Sequence, residues 1–388
     1  MIELEEALEI IRRVESRSSF ETVPLDQALG RVLAREVRSP IDSPPFAKSA
    51  MDGFAVRTDD LSPALRVVET LPAGSAPRRE LRAGECARIM TGAMLPPGAG
   101  RVIRKELVEE RDGVIRVVGP ETGDNVIPRG ANLRAGDPVL GPRALSAQDI
   151  GILAASGFAA VDVMTTPAVG IISTGSEIRS PGETLGPGEI YNSSAAQLAA
   201  QLAPLRCASR FIGVVADEPA PLTRAISSAL ASSELVLLTG GVSAGDFDFV
   251  PGSLSELGAS VLFHGVAVKP GKPTLFARRG DRYIFGLPGN PVSSFVIFEI
   301  FVKPFLYRWM GIDWKPPRFR ARLGSAVRRR GSDRTEFLPV SARDGRVFPV
   351  AYHGSAHLNA LGAADGLIRV EKGVEGLEEG VEVDVRPL

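Results

Sequence analysis

Between Pro167 and Gly311, short apolar runs alternate with helix-patterned stretches, and this alternation restricts the fold more than any other feature of the chain. The runs cover 169–173, 211–215, 235–238, 261–263 and 283–285, and the helical stretches 193–202, 221–231, 251–257 and 291–309. Runs this short and this apolar read as strands buried on both faces. Strand and helix in repeated alternation predict a largely parallel sheet with helices on both faces, a three-layer α/β domain.

The flanking segments have a different texture. Leu4, Leu8, Ile11 and Val14 recur at helical spacing, and Leu25, Leu29, Val32 and Leu33 repeat the pattern behind Pro24. Two amphipathic helices are predicted. Three prolines then interrupt 39–45, and short β-like runs follow, with a hairpin expected at Asp112-Gly113. Ser146 and Asp149 read as a capping box opening a helix through Ile150 and Leu153 that ends near Gly157. The expected division is a discontinuous helical part (1–45 and 140–166) with a β module inserted at 46–139, the α/β domain at 167–312, and a β module at 313–388 with a hairpin at Asp344-Gly345.

Composition closes off several functions. The 45 Lys+Arg against 46 Asp+Glu leave a net charge of -1, so nucleic acid and anionic membrane find no global attraction, and an anion must be bound locally. Cys86 and Cys207, far apart, support neither a disulfide framework nor a Cys-type zinc site. The N-terminus lacks the apolar core of a signal peptide, and the apolar stretch 295–306 is interrupted by Glu299 and Lys303. A soluble cytoplasmic protein is expected. His264, His353 and His357 are too scattered for a ligand motif, and neither a Walker A loop nor G-x-G-x-x-G occurs.

In open α/β sheets ligands bind beyond the carboxyl ends of the strands, which directs attention to four loops. They are Ser173-Thr174-Gly175-Ser176-Glu177; the segment 239–248, holding Gly240, Gly241, Ser243, Asp246 and Asp248; Lys269-Pro270-Gly271-Lys272-Pro273; and the segment 286–294, holding Gly289, Asn290, Pro291 and Ser293. Glycines let backbone N–H groups wrap an anion, and the Pro-Gly turn holds two ammonium groups at little entropic cost. Glu177, Asp217, Asp246 and Asp248 supply hard oxygen atoms suited to Mg²⁺ beside phosphates. Any one loop read alone is compatible with tight packing or a solvated charge. Four coincident loops with complementary charges point to a metal-bridged phosphoanhydride.

The segment 49–56, the Met90-Thr91-Gly92-Ala93 turn and the four loops occur in the order in which they stand in the molybdopterin molybdenumtransferase (MoeA) family, which the chain resembles over essentially its whole length. The resemblance implies an elongated homodimer of four-part protomers, ending in a C-terminal β-barrel, with the site at the subunit interface. It implies an enzyme that takes adenylylated molybdopterin and molybdate, with Mg²⁺, and yields molybdenum cofactor and AMP. Glu177, Asp217 and Asp248 would serve the metal and nucleotide, with Asp52 and Thr91 contributed across the dimer. Lys269, Lys272, Ser293, Arg334 and Ser355 would bind molybdate or the pterin phosphate, and Gly240, Gly241, Ser243, Gly289 and Asn290 would line the cofactor site. A molybdopterin adenylyltransferase would be the upstream partner. One departure stands out: where the family usually shows Gly-Glu-Asp, this chain has Gly130-Ala131-Asn132, which removes two charges and puts a metal or catalytic role there in doubt. Two other readings are an adenylyltransferase on the same central fold, whose Gly-Gly loop normally continues Thr-Gly rather than Val242-Ser243, and a non-catalytic scaffold.

Overall fold

The structure is a computed structural model that describes the chain except residues 17–18, 61, 243–248 and 352–353. The chain divides into two compact units, one of Met1–Glu21, Gly30–Val32 and Val163–Leu388, the other of Thr22–Leu29 and Leu33–Asp162.

The second unit is built on a six-stranded sheet in the order Arg101–Arg104, Gly53–Val56, Glu85–Ile89, Leu65–Leu71, Val114–Val117, Val108–Arg111. Ala55, Leu71, Ala87, Ile89 and Val102 form its core on one face, and Phe54, Leu65, Cys86 and Ile115 on the other. The predicted hairpin is present, and Asp112 and Gly113 have φ of 50° and 75°, the positive values that a tight two-residue loop between strands requires. The capping box is present too: Ser146 Oγ accepts from the Asp149 N–H at 3.3 Å, and Asp149 Oδ2 accepts from the Ser146 N–H at 2.9 Å, opening the helix Ala147–Ala155. The second N-terminal helix, by contrast, is one turn, Leu25–Ala28. It cannot continue through Gly30, whose φ of +80° is outside the helical region and where a Cβ would lie 2.3 Å from the Pro204 carbonyl oxygen.

Glu121 carries a pH-dependent contribution in this unit. Its side chain is 3% exposed and accepts from the Arg104 backbone N–H and from Arg104 Nε, both at 3.1 Å. The Arg104 amide first, and then its guanidinium, hold the carboxyl at about 2 against an ordinary 4.5. Because the folded value is depressed, the ionised carboxylate stabilises the unit above pH 4.5, and that contribution is lost as the pH falls towards about 2. Glu121→Gln is expected to flatten the loss of thermal stability across this range, as followed by circular dichroism. A variant with the wild-type acid profile would refute the assignment.

The first unit holds the α/β domain and a barrel. Four parallel strands, Ser209–Val215, Val169–Thr174, Leu235–Thr239 and Arg282–Leu287, are followed by antiparallel Leu275–Arg279 and then Ser260–His264. The predicted runs are all strands, and Leu275–Arg279 is an additional one. Helices Ser193–Leu202, Pro219–Ser232 and Val250–Glu256 connect strands of this sheet, Pro291–Ile297 follows its last strand, and Ile172, Ile226, Val236, Leu238 and Ile284 are among the side chains of one core layer. The stretch predicted as one helix from 291 to 309 passes through a π segment, Phe298–Val302. Pro304 follows it, and a proline has no N–H to donate back into an α ladder. The helix Lys303–Trp309 also receives the N-terminal helix Leu4–Arg12, whose Leu4, Ala7 and Ile11 are buried.

Beyond the linker, Phe319–Leu323, Thr335–Arg343, Arg346–Pro349, Gly366–Val370 and Glu382–Pro387 close into a five-stranded barrel. Its hairpin turns at Asp344 (φ 50°) and Gly345 (φ 72°), as predicted. The short strand Val268–Lys269 pairs in parallel with Thr335 and Glu336, so the lysine loop of the α/β domain is hydrogen-bonded into the barrel sheet. Both cysteines are buried, and burial pushes each thiol up to about 12, so they remain protonated. Among the described residues no helix is long and apolar enough to cross a membrane.

Candidate functional site

The chain leaves the strand Val169–Thr174 towards one sheet edge and the neighbouring strand Leu235–Thr239 towards the other. The loops at their carboxyl ends therefore diverge, which opens a crevice at the switch point. A cleft of about 720 Å³ occupies that place, lined by Thr174, Glu177, Asp217, Gly240, Gly241 and Asn290 among others. A larger cleft of about 830 Å³, between the N-terminal helix and the barrel, contains none of the residues predicted for the site.

The floor of the strand-end cleft is polar and fully satisfied. Register places Ser173 opposite Thr239. Thr239 Oγ1 donates to Ser173 Oγ at 3.2 Å, and Asn192 Nδ2 donates to the same oxygen at 3.0 Å. Asn192 Oδ1 in turn accepts the Ala195 N–H at 3.1 Å, capping the helix Ser193–Leu202. Buried hydroxyls paired in this way form a rigid base. Ser173 and Thr239 stand in two of the predicted loops but were given no role of their own, and Asn192 was not predicted; the signal available in the sequence was that Ser173 and Thr239 each end an apolar run.

Two of the predicted glycine turns form the walls. Gly240 has a φ of +91°, and a Cβ there would lie 2.6 Å from Thr174 Oγ1 and 2.8 Å from the Thr174 carbonyl oxygen. Only glycine lets the two diverging loops approach this closely. On the other side Gly289 and Asn290 are exposed along the cleft, and Asn290 Nδ2 donates to Ser355 Oγ at 2.8 Å. Ser355 also accepts the Val292 N–H at 3.2 Å through its carbonyl. Ser293 is 3% exposed and does not line the cleft.

Both described carboxylates of the predicted acidic set are in the cleft, Glu177 exposed and Asp217 half-buried. Asp246, Asp248 and Ser243 lie outside the described residues. Among the described residues no group of three or more His, Cys, Asp or Glu side chains is placed to hold a metal. Two carboxylates beside hydroxyls in a cleft with room for substrate phosphate nevertheless fit Mg²⁺, which keeps several waters and takes one or two protein carboxylates plus substrate phosphate.

The lysine loop behaves differently. Lys269 Nζ pairs with Glu336 Oε1 at 2.7 Å, Lys272 is exposed, and the loop reaches the cleft through Pro273 rather than through either lysine. Glu336 is 4% exposed and is also held by Arg329 Nε at 2.8 Å. Arg334 follows on the same barrel strand entry, with Nε 3.3 Å from Asp333 Oδ2.

In the other unit, Asp52 accepts from the Thr91 N–H at 2.8 Å and from its hydroxyl at 2.7 Å. These bonds, the amide first, hold the Asp52 carboxyl below its ordinary range, and Lys105 Nζ at 3.9 Å acts in the same direction. Asp52 and Thr91, predicted separately from two motifs, form one corner. Asn132 is exposed, and its backbone N–H donates to the Ser43 carbonyl at 2.9 Å.

Comparison with known proteins covers the whole of this architecture. Residues 2–157 match the MoeA N-terminal region (domain I and II), 170–308 a probable molybdopterin binding domain, and 320–388 the MoeA C-terminal region (domain IV). A molybdopterin molybdenumtransferase of Bacillus subtilis is 34% identical over 99% of this chain and 93% of that protein. One from Nostoc is 36% identical over 79% of this chain and 74% of its own length. The crystal structure of a molybdopterin biosynthesis MoeA protein from Pyrococcus horikoshii superposes with a TM-score of 0.81 at 34% identity, covering 100% of this chain and 99% of that one. Matched by these three family models in order and 34% identical to a relative that it covers almost end to end, the chain belongs to the molybdopterin molybdenumtransferase (MoeA) family.

Proposed function

We propose that the protein inserts molybdenum from molybdate into adenylylated molybdopterin, forming molybdenum cofactor and releasing AMP. The observation that carries this reading is the convergence of Glu177, Asp217 and the Gly240-Gly241 and Gly289-Asn290 turns on one cleft with a rigid polar floor. Family membership supplies the substrate class. Gly241 and Gly289 would supply backbone N–H groups to the phosphates, Gly240 donating its own to the Leu287 carbonyl, with the Asn290–Ser355 pair beside them; Ser243, outside the described residues, is proposed for the same cofactor site. Glu177 and Asp217, with Asp248, would hold Mg²⁺, which when bound draws charge from the anhydride oxygens. Lys269, Lys272 and Arg334 balance the charge of the molybdate dianion or of the pterin phosphate; Ser293 carries no charge, and at 3% exposure outside the cleft it takes no part in that balance. The dithiolene of the substrate supplies the sulfurs that hold molybdenum, in keeping with two buried protein thiols that take no part.

The four-part division with boundaries near 45, 139, 166 and 312 belongs to the same reading. So does a cytoplasmic homodimer in which the Asp52–Thr91 corner serves the site of the other subunit, with a molybdopterin adenylyltransferase supplying the substrate. The test is AMP release from adenylylated molybdopterin and Mg²⁺, with and without molybdate. Release that requires molybdate is the expected result; release indifferent to molybdate would overturn the transferase reading.

A further inference from the structure

The barrel contributes two buried residues, Glu336 and Arg329, to an ion-pair chain that ends at the predicted Lys269. Glu336 sits between two cations, with Oε1 2.7 Å from Lys269 Nζ and Oε2 2.8 Å from Arg329 Nε. Exposure falls steeply along the chain: the side chain of Lys269 is 39% exposed, that of Glu336 5% and that of Arg329 2%. Arg329 is anchored by its remaining donors. Nη1 donates to the carbonyls of Glu371 and Val374 at 2.8 and 2.7 Å, and Nη2 donates to the carbonyl of Arg334.

The charges along the chain have a consequence. Arg329 and Glu336 neutralise each other in the interior, so the charge of Lys269 is left as the net charge of the group and lies at its exposed end. Glu336 occupies one of the three ammonium donors and leaves two. The same guanidinium fixes the backbone of Arg334, the other cation predicted for the oxyanion. One buried pair therefore underlies cations from two loops, joined by the parallel bridge of Val268–Lys269 to Thr335–Glu336.

We propose that Glu336, backed by Arg329, is a positioning residue that holds the Lys269 ammonium and the Arg334 backbone for the oxyanion substrate. This rests on the reading in which Lys269 binds molybdate, and two variants separate the claims. Lys269→Ala and Glu336→Gln are each compared with the wild-type protein for the molybdate concentration giving half-maximal AMP release and for the KM of adenylylated molybdopterin. Melting temperature is recorded alongside. Both variants are expected to raise the molybdate value about tenfold or more while the pterin KM moves less than about twofold, a split that mere loosening of the fold would not produce. If Lys269→Ala leaves the molybdate value unchanged, the placement of the oxyanion is wrong. If Lys269→Ala raises it and Glu336→Gln does not, the positioning role is wrong while the oxyanion placement stands. Should the amide variant not fold, Glu336→Asp replaces it: it keeps a carboxylate beside Arg329 and withdraws it from Lys269 by one methylene, so it too is expected to raise the molybdate value.

Discussion

Glu177→Ala and Asp217→Ala are each expected to lower molybdate-dependent AMP release by about 10²-fold or more, the scale seen when one preorganised electrostatic group is removed from an active site. Both carboxylates line the strand-end cleft, with Glu177 exposed and Asp217 half-buried. Removing either deletes an oxygen donor without opening the core, so melting temperature should move little. The double variant provides the sharper result. Groups that act together on one metal-phosphate unit are non-additive, so the double loss is expected to be close to the larger single loss. Two independent losses that multiplied, or a single variant retaining full AMP release, would mean that these acids do not share a site.

The largest effect on stability is expected away from the cleft. Glu299, 6% exposed on the π segment, accepts from Gln201 Nε2 at 3.1 Å, Lys303 Nζ at 3.0 Å and Arg386 Nη2 at 2.9 Å. Arg386 comes from the last barrel strand, so Glu299 joins the α/β domain to the barrel. The two cations also lie over the Trp314 ring, each 5.4 Å from its centroid, and that ring stacks on Tyr307 at 4.8 Å. Glu299→Ala leaves Arg386, with its side chain 12% exposed, without its carboxylate. The expected cost is about 3–5 kcal/mol, since removing one partner of a buried pair leaves an uncompensated charge. In a unit of this size that corresponds to a fall in melting temperature on the order of 10 °C. Adding Arg386→Met, which removes the stranded charge, should recover a good part of the loss. A single variant within about 1 kcal/mol of wild type would show that the network is not a clamp.

Local periodicity and turn chemistry made much of the fold legible. The apolar runs at 169–173 and 235–238 are central strands because nothing polar interrupts them, and Asp112-Gly113 and Asp344-Gly345 are hairpin turns because both positions take positive φ. What stayed hidden depended on distant contacts. Leu275–Arg279 has only three apolar residues before Arg278 and Arg279, and it is a strand because Arg282–Leu287 folds back along it. The helix expected at 25–33 stops because Gly30 passes against the Pro204 carbonyl, a contact no local pattern reports. The site divides in the same way. Glycine turns and acids at strand ends follow from the fold's own switch point, whereas the pairing of Lys269 with Glu336 requires a bridge between the α/β domain and the barrel.

The most direct measurement is a crystal structure of the protein soaked with AMP, Mg²⁺ and molybdate. The nucleotide phosphate is predicted within hydrogen-bonding distance of the Gly241 amide, with the metal on Glu177 and Asp217 and the oxyanion against Lys269. Clear density for nucleotide and oxyanion elsewhere on the protein, with the strand-end cleft holding only water, would contradict the account.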